Sequence, residues 1–283
     1  MRKLPFYLLD VFSAVPFKGN PLAVIAEAEG LDAAQMQAIA NWTGVSETTF
    51  LSGPNDAAAD YHVRIFTPDR ELPFAGHPTL GSCHAWLALG HKPKGNTEGG
   101  AVVQECGAGL VRIKRDGARL AFAAPPQRRS GEVDPDLRRR IAASLGLAEQ
   151  AIKAAQWVDN GPGWVAVLLG SRAEVLALKR DGSLLPGQPL GVVAPWDPAR
   201  DGSEAQFEVR AFTSRGDTED PVTGSLNASL AQWLIGSGLA KPRYVASQGT
   251  ALGRAGRVHV AHEGDTTWIG GDVAGCVTGT ITL

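Results

Sequence analysis

VRIFTPDRELPFAGHPTLGSCHAWLALG, residues 63–90, reads as a strand, a turn and a helix in succession. Val63 and Ile65, with their β-branched and aromatic neighbours, suit a strand. Pro68 ends it, and Pro73 keeps the chain extended. Gly76-His77-Pro78-Thr79 has the form of a helix entry, with Pro78 close to the first helical position. Leu80, Cys83, Ala85, Trp86, Leu87 and Leu89 then continue to a stop at Gly90. Because this helix is apolar on most sides, it is predicted to be buried rather than laid on a surface.

The same pattern returns at 209–238, VRAFTSRGDTEDPVTGSLNASLAQWLIGSG. Val63 and Val209 stand 146 positions apart, Gly76 and Gly224 148, and Trp86 and Trp233 147. A second pair follows: GLVRIKRDGARLAF at 109–122 resembles GRVHVAHEGDTTWI at 256–269. Both read as hairpins turning at an acidic residue and a glycine, Asp116-Gly117 and Glu263-Gly264. Independent matches at nearly one offset predict a duplicated domain. The copies would span 1–124 and 125–275, with the threonine-rich tail 276–283 free to pair with either.

Composition narrows the class. A chain of 283 residues has room for one or two domains, and 44% hydrophobic with 20% charged residues is ordinary for a globular protein. A net charge of −2 gives no basic footprint for nucleic acid. No apolar run reaches membrane-spanning length. The opening MRKLPFYLLDVF is interrupted by Asp10 and reads as a first strand, not a signal peptide. Cys83, Cys106 and Cys276 are scattered without a CxxC, which fits a reduced, cytoplasmic compartment.

In chain order, residues 4–12 and 22–26 read as strands around the turn at Phe17-Lys18-Gly19-Asn20-Pro21. Asp32 caps a helix reaching Trp42 and stopped by Gly44. A strand follows at 45–51. After the 63–90 unit come a loop at 90–100, a strand near 101–106 and the first hairpin. Residues 125–131 read as a linker. A helix at about 134–145, strands at 155–158 and 164–169, a short helix near 171–178, a strand near 190–195 and a polar loop at 197–204 lead to the second unit.

The two helix starts are the main chemical feature. Gly76-His77 and Gly224-Ser225 offer unpaired backbone N–H groups and the positive end of a helix dipole. Such a place suits a carboxylate or an oxyanion. One such glycine reads as close packing of helix on strand; its repetition favours an anion site facing a shared cleft. Glu47, in Ser46-Glu47-Thr48-Thr49, reads by itself as a solvated strand position or as a catalytic acid. Asp220 suits either helix-entry charge compensation or chemistry. His77 suits either a donor to substrate or a turn closure, and Ser225 either a ligand contact or a helix N-cap. His259 and His262 point to opposite faces of a strand, and no other metal-ligand spacing occurs. Neither a phosphate loop nor a nucleophile elbow is present. Cys83, inside an apolar helix, reads as packing.

Several of these stretches together resemble the PhzF family, the phenazine-biosynthesis-like isomerases and epimerases. They are Asp10-Val-Phe, Pro16-Phe-x-Gly19-Asn20-Pro21 and Ser46-Glu47-Thr-Thr-Phe50, then Arg64-x-Phe-Thr-Pro68, Glu71-Leu-Pro-Phe-Ala-Gly76-His77-Pro78-Thr79 and Glu219-Asp220-Pro-Val-Thr-Gly224-Ser225. The resemblance covers nearly the whole chain. It implies an α/β (α+β) protein of two similar diaminopimelate-epimerase-like domains. Each would be a mostly antiparallel, barrel-like sheet around a central helix, with the last strand returning to the first domain. By resemblance, Glu47, Asp220 and His77 are the catalytic candidates, and Gly76, Gly224 and Ser225 bind substrate.

The resemblance further implies no organic cofactor or metal, a homodimer, and a small carboxylate substrate akin to trans-2,3-dihydro-3-hydroxyanthranilate. Related racemases place cysteines at the two helix starts. Here Ala75 and Thr223 stand there, which argues against a two-thiol racemase. The expected mechanism is proton transfer by Glu47 between carbons of one substrate in the interdomain cleft, with the developing anion held by the two helix starts. The alternatives are an epimerase or racemase using Glu47 with Asp220 as a second base, and a binding or regulatory protein on the same scaffold.

Overall fold

A computed structural model describes residues 1–95, 100–216 and 218–283, and in it the stretch 63–90 is a strand, a turn and a helix. Of the loop expected at 90–100, residues 96–99 lie outside the described ones. The chain divides into two compact units, Met1–Ala123 with Gly270–Leu283, and Ala124–Ile269.

The first unit begins with β1 (Lys3–Val11), β2 (Asn20–Ile25), α1 (Ala33–Thr43), β3 (Glu47–Ser52) and β4 (Tyr61–Phe66). It continues with β5 (Glu71–Leu72), α2 (Gly76–Ala88), β6 (Val102–Cys106), β7 (Gly109–Asp116) and β8 (Arg119–Ala123). β2 runs parallel to β3 and β4 parallel to β6. The other pairings, β1–β2, β3–β4, β4–β5, β6–β7 and β7–β8, are antiparallel.

α2 lies against β1, β2, β3, β6 and β8, so the sheet curls around it. Its residues Gly76–Cys83, Ala85 and Trp86 are buried. Leu80, fully buried, contributes about 1.5–3 kcal/mol by leaving water. Gly81 has a packing reason: an added Cβ would lie 2.4 Å from Leu22 Cδ2 on β2. Pro78 is tolerated in the first turn, where its missing N–H has no helical partner. Gly90, at φ 87°, follows the helix end. Against the same unit packs α1, whose Asp32–Gln35 capping box and left-handed Gly44 define its two ends.

The second unit holds β9 (Arg129–Glu132), α3 (Pro135–Ser144), β10 (Ala154–Asp159), β11 (Val165–Leu168), α4 (Arg172–Ala177), β12 (Leu190–Pro195) and α5 (Pro198–Asp201). Then come β13 (Phe207–Phe212), β14 (Glu219–Asp220), α6 (Gly224–Gly236), β15 (Arg243–Gln248), β16 (Gly256–Glu263) and β17 (Thr266–Gly271). The last strand, β18 (Val273–Thr282), pairs antiparallel with β1 of the first unit's sheet.

The pairing pattern of the first unit is repeated here. β11 is parallel to β12 and β13 to β15, while β10–β11, β12–β13 and β13–β14 are antiparallel. β9 pairs with β10 as β18 pairs with β1. α6 is buried along Leu226–Ala231 and at Leu234. A second apolar cluster, including Ile141, Val167, Val175, Val192 and Phe212, packs α3 and α4 against the strands.

Two local expectations are corrected. The stretch read as a linker, 125–131, runs into β9, whose backbone pairs with β10 although all four of its residues are exposed. With no apolar alternation to betray it, a strand held by ladder bonds and by Arg129 stacked on Trp157 is invisible to periodicity. The polar loop at 197–204 contains the one-turn helix α5, started by Asp197, whose side chain accepts from Ala199 N.

Candidate active site

In the first unit the site is built where β3 begins and α2 begins. Glu47 is the first residue of β3, and β3 is held by buried hydroxyls on either side. Thr48 Oγ1 lies 2.8 Å from Thr43 Oγ1 of α1, and Ser82 of α2 donates to Thr49 Oγ1 at 2.9 Å. Those bonds fix the strand's position against both helices, and so the point from which the Glu47 side chain departs. Glu47 is not in bulk water: its side chain is 17% exposed, and Oε2 lies 3.3 Å from His77 Nε2.

His77 is the second residue of α2 and is buried. Burial holds its pKa near 3, against a hydrogen bond to the Pro21 backbone that pulls the other way. The imidazole is therefore neutral at ordinary pH, and its contact with Glu47 is not an ion pair despite the short distance. Nε2 makes no hydrogen bond of its own, so the Pro21 carbonyl is served by Nδ1–H. A neutral ring with its proton on Nδ1 turns the Nε2 lone pair toward Glu47. That lone pair can accept from a protonated Glu47, while it repels the ionised form. The contact thus offers a resting place for a proton that Glu47 has taken up.

The Asp10…Gly19-Asn20-Pro21 sequence supports this arrangement. Asp10, 2% exposed, accepts from Gly19 N at 2.7 Å. Gly19 presses on Val11, and a Cβ there would sit 2.2 Å from the Val11 carbonyl oxygen. The turn therefore closes tightly and presents the Pro21 carbonyl to His77. At the start of α2 the N-cap is Ala75, which provides no side-chain cap. The first helical bond comes from Thr79 N, and Pro78 has no N–H, so the amides of Gly76 and His77 carry the helix's unpaired positive end.

In the second unit, Asp220 lies on β14 and Gly224 and Ser225 open α6. The N-cap is Thr223, not Ser225, which corrects the capping alternative for the serine. Ser225 accepts from Trp164 Nε1 at 3.1 Å on its hydroxyl oxygen, and from Asn160 Nδ2 at 2.9 Å on its carbonyl. Because its oxygen is already an acceptor, its hydroxyl proton can be given to another acceptor. Asp220 Oδ2 accepts from the Thr223 hydroxyl at 2.6 Å, so it is tied to the helix entry by a direct bond. The loop carrying Asn160 is held by Asp159 Oδ1, which accepts from Gly161 N and Gly163 N.

The structure thus brings Glu47, Gly76 and His77 together in the first unit, and Asp220, Gly224 and Ser225 in the second. The sequence reading did not reach Gln248, Trp164 or Asn160. None of them belongs to a motif with a spacing, and β15, which carries Gln248, gave no signal of its own. Burial holds the Cys83 thiol up at about 12, so it stays protonated and is a packing group. Among the described residues, no three His, Cys, Asp or Glu side chains cluster to hold a metal ion, and no helix is long and apolar enough to cross a membrane.

Comparison with known proteins adds the following. Residues 9–279 match the family model PhzC-PhzF, described as phenazine biosynthesis-like protein. The chain is 33% identical to antisense-enhancing sequence 1 of Schizosaccharomyces pombe, over 99% of each protein. It is 30% identical to trans-2,3-dihydro-3-hydroxyanthranilate isomerase of Pseudomonas chlororaphis, over 92% of this chain and 90% of that one. A crystal structure of a PhzF-family protein from Enterococcus faecalis superposes with a TM-score of 0.82 at 25% identity, covering 100% of both chains.

Proposed function

This chain belongs to the phenazine biosynthesis-like (PhzF) family, and from that premise we propose that it is an isomerase moving a proton between carbons of a small carboxylate. The substrate is of the kind named for the Pseudomonas chlororaphis relative, a cyclic amino- or hydroxy-substituted acid. The observation that carries the reading is the pairing of a sheltered carboxyl group with a neutral imidazole, Glu47 with His77, beside uncapped helix amides.

Glu47 removes a proton from one carbon as general base and returns it to another as general acid. Between the two steps, the His77 Nε2 lone pair steadies the protonated carboxyl. The substrate carboxylate and the charge developing beside it are held by the amides of Gly76, His77, Gly224 and Ser225. Each such donor is worth about 3 kcal/mol in the transition state. Asp220 is the partner carboxylate of the site, and it serves as a second base only in the epimerase alternative. The reading needs no organic cofactor or metal.

The test uses trans-2,3-dihydro-3-hydroxyanthranilate as probe in deuterated buffer, followed by NMR. Migration of a double bond, slowed about 10²–10⁴-fold by Glu47→Gln, is the expected result. Inversion at one centre with deuterium wash-in would replace isomerase by epimerase. An unchanged rate in Glu47→Gln would remove the catalytic assignment. Binding without any turnover would leave a ligand-binding homologue. A panel of carboxylated metabolites, screened by thermal shift, finds the substrate if the probe is not taken. The reading includes a homodimer, and a single 29.7 kDa species in sedimentation velocity would overturn that part.

A further inference from the structure

We propose that Gln248 and Thr223 are positioning residues for Asp220, with Gln248 acting through the Thr223 hydroxyl to set the direction in which that carboxylate faces. The inference rests on the reading above in giving Asp220 a part in the reaction, but its geometry stands alone. Gln248 ends β15 and is completely buried. Its Oε1 accepts from Thr223 N at 3.0 Å and from Asn227 Nδ2 at 2.8 Å. Its Nε2 donates to the Asp220 carbonyl at 3.0 Å and to Thr223 Oγ1 at 2.9 Å. Two donors and two acceptors exhaust what a glutamine amide offers.

The sense of the whole chain follows from one group that cannot be reversed. A backbone N–H only donates, so the Thr223 N–H requires the Gln248 oxygen to face it. The amide is thereby prevented from flipping, and its NH2 must face the Thr223 hydroxyl. Thr223 Oγ1, having accepted, has its single proton left to give, and Asp220 Oδ2 stands 2.6 Å away to take it. The short separation suits a hydroxyl donating to a charged carboxylate. Asn227 is locked likewise, since its Nδ2 also donates to the Thr223 carbonyl at 2.9 Å. One buried network thus joins β15, the start of α6 and β14, with every polar atom of the Gln248 amide matched. Networks of this kind hold a single geometry because every partial rearrangement leaves a buried group unmatched.

The first unit has the glutamine without the relay. Gln104 donates to Thr79 Oγ1 at 3.1 Å and accepts from Tyr61 OH at 2.9 Å. Its N-cap residue is Ala75, and the residue opposite Ile65 on β5 is Leu72, where Asp220 stands opposite Ala211 on β14. The glutamine is a shared packing device; the hydroxyl and the acid are additions of the second unit.

The experiment follows the 13Cγ signal of Asp220 in protein labelled with 13C-aspartate, assigned by its loss in Asp220→Asn. Thr223→Val, which removes the hydroxyl at nearly constant shape, raises the Asp220 titration midpoint by about one unit, because a donor to the charged form is lost. Thr223→Ser keeps the hydroxyl and restores the midpoint. Gln248→Met, uncharged and of similar length, frees the Thr223 hydroxyl to turn away and so moves Asp220 in the same direction as the valine, with Thr223 intact. The charged pair beside Asp220, Glu219 with Arg210, is unaltered in every variant. A midpoint unmoved in Thr223→Val, or moved equally by valine and serine, overturns the inference. Should the valine protein fail to fold, the methionine variant decides it against serine: a midpoint unmoved in Gln248→Met overturns the inference. The titration needs no turnover, so it stands or falls separately from the isomerase reading. With turnover of the probe, Thr223→Val lowers kcat at least tenfold with KM nearly constant, and a change confined to KM overturns the positioning role.

Discussion

Arg64 grips Glu71 in the first unit as Arg210 grips Glu219 in the second, each with two nearly parallel N–H···O bonds of 2.7–3.0 Å. The same two residues in the same register make two different interactions. The first pair is open to water, with side chains 28% and 42% exposed; the second is covered, at 9% and 6%. The remaining nitrogen of Arg210, Nη1, donates to the carbonyls of Val175 and Leu178, at the end of α4. A duplicated backbone therefore repeats a contact without repeating its energetics, because the environment decides how strongly charges interact.

The acids differ more than the clasps. Thr48 faces Phe66 across β3 and β4, and Leu190 faces Phe212 across β12 and β13. The residue before Thr48 is Glu47, while the residue before Leu190 is Pro189. On the following hairpin the second unit has Asp220 where the first has Leu72. Each unit thus carries one acid near the start of its buried helix, at a position where the other carries an apolar residue. At the second helical residue the same divergence gives His77 in one unit and Ser225 in the other.

The largest separation of the two units should come from their arginines. Arg210→Ala leaves Glu219 buried without its partner and is expected to lower unfolding stability by about 3–5 kcal/mol in urea titration. A loss below about 1 kcal/mol would mean that the covered pair behaves like the open one. Next is the packing glycine of α2. Gly81→Ala drives a methyl into Leu22 and costs about 1–3 kcal/mol. By contrast Gly236→Ala, with nothing near the new Cβ, gains up to about 1 kcal/mol. Equal effects at both glycines would show that α2 has room to shift.

The third comparison is pH. His77 has a folded-state pKa near 3, below its ordinary value, so the unfolded chain binds the extra proton between about pH 6.5 and pH 3. The stability held above that window is therefore lost as pH falls, by about 1.4 kcal/mol per unit from this group. Denaturation midpoints from pH 7 to 4.5 should fall less steeply in His77→Gln than in the parent. Ser225→Ala, at the matching place in the second unit, should leave the slope unchanged. The smallest effect is at the open clasp. Arg64→Ala should change stability by no more than about 1 kcal/mol, and 0.5 M salt should erase part of it.

Much of this architecture was legible because it rests on local rules. The helix entries at Gly76 and Gly224, the cap at Asp32 and the stop at Gly44 follow from backbone preferences that single residues announce. The duplication followed from strand–turn–helix units repeated at nearly one offset, and the family, with the α/β class it implies, from motifs spread along the chain. β9 and β15 were not legible. One has only exposed residues, and both take their place from the strands they pair with.

By itself, the sequence put forward candidates for chemistry: Glu47, His77 and Asp220, through the family resemblance, and two helix starts rich in unpaired N–H groups. Only the tertiary structure decided the condition in which those groups stand. Burial makes His77 neutral, the Pro21 carbonyl chooses its tautomer, and Gln248, from a strand no periodicity announced, aims the Thr223 proton at Asp220. The physical reason is that desolvation and hydrogen-bond direction belong to neighbours far apart in the chain, and linear order holds no record of distance through space.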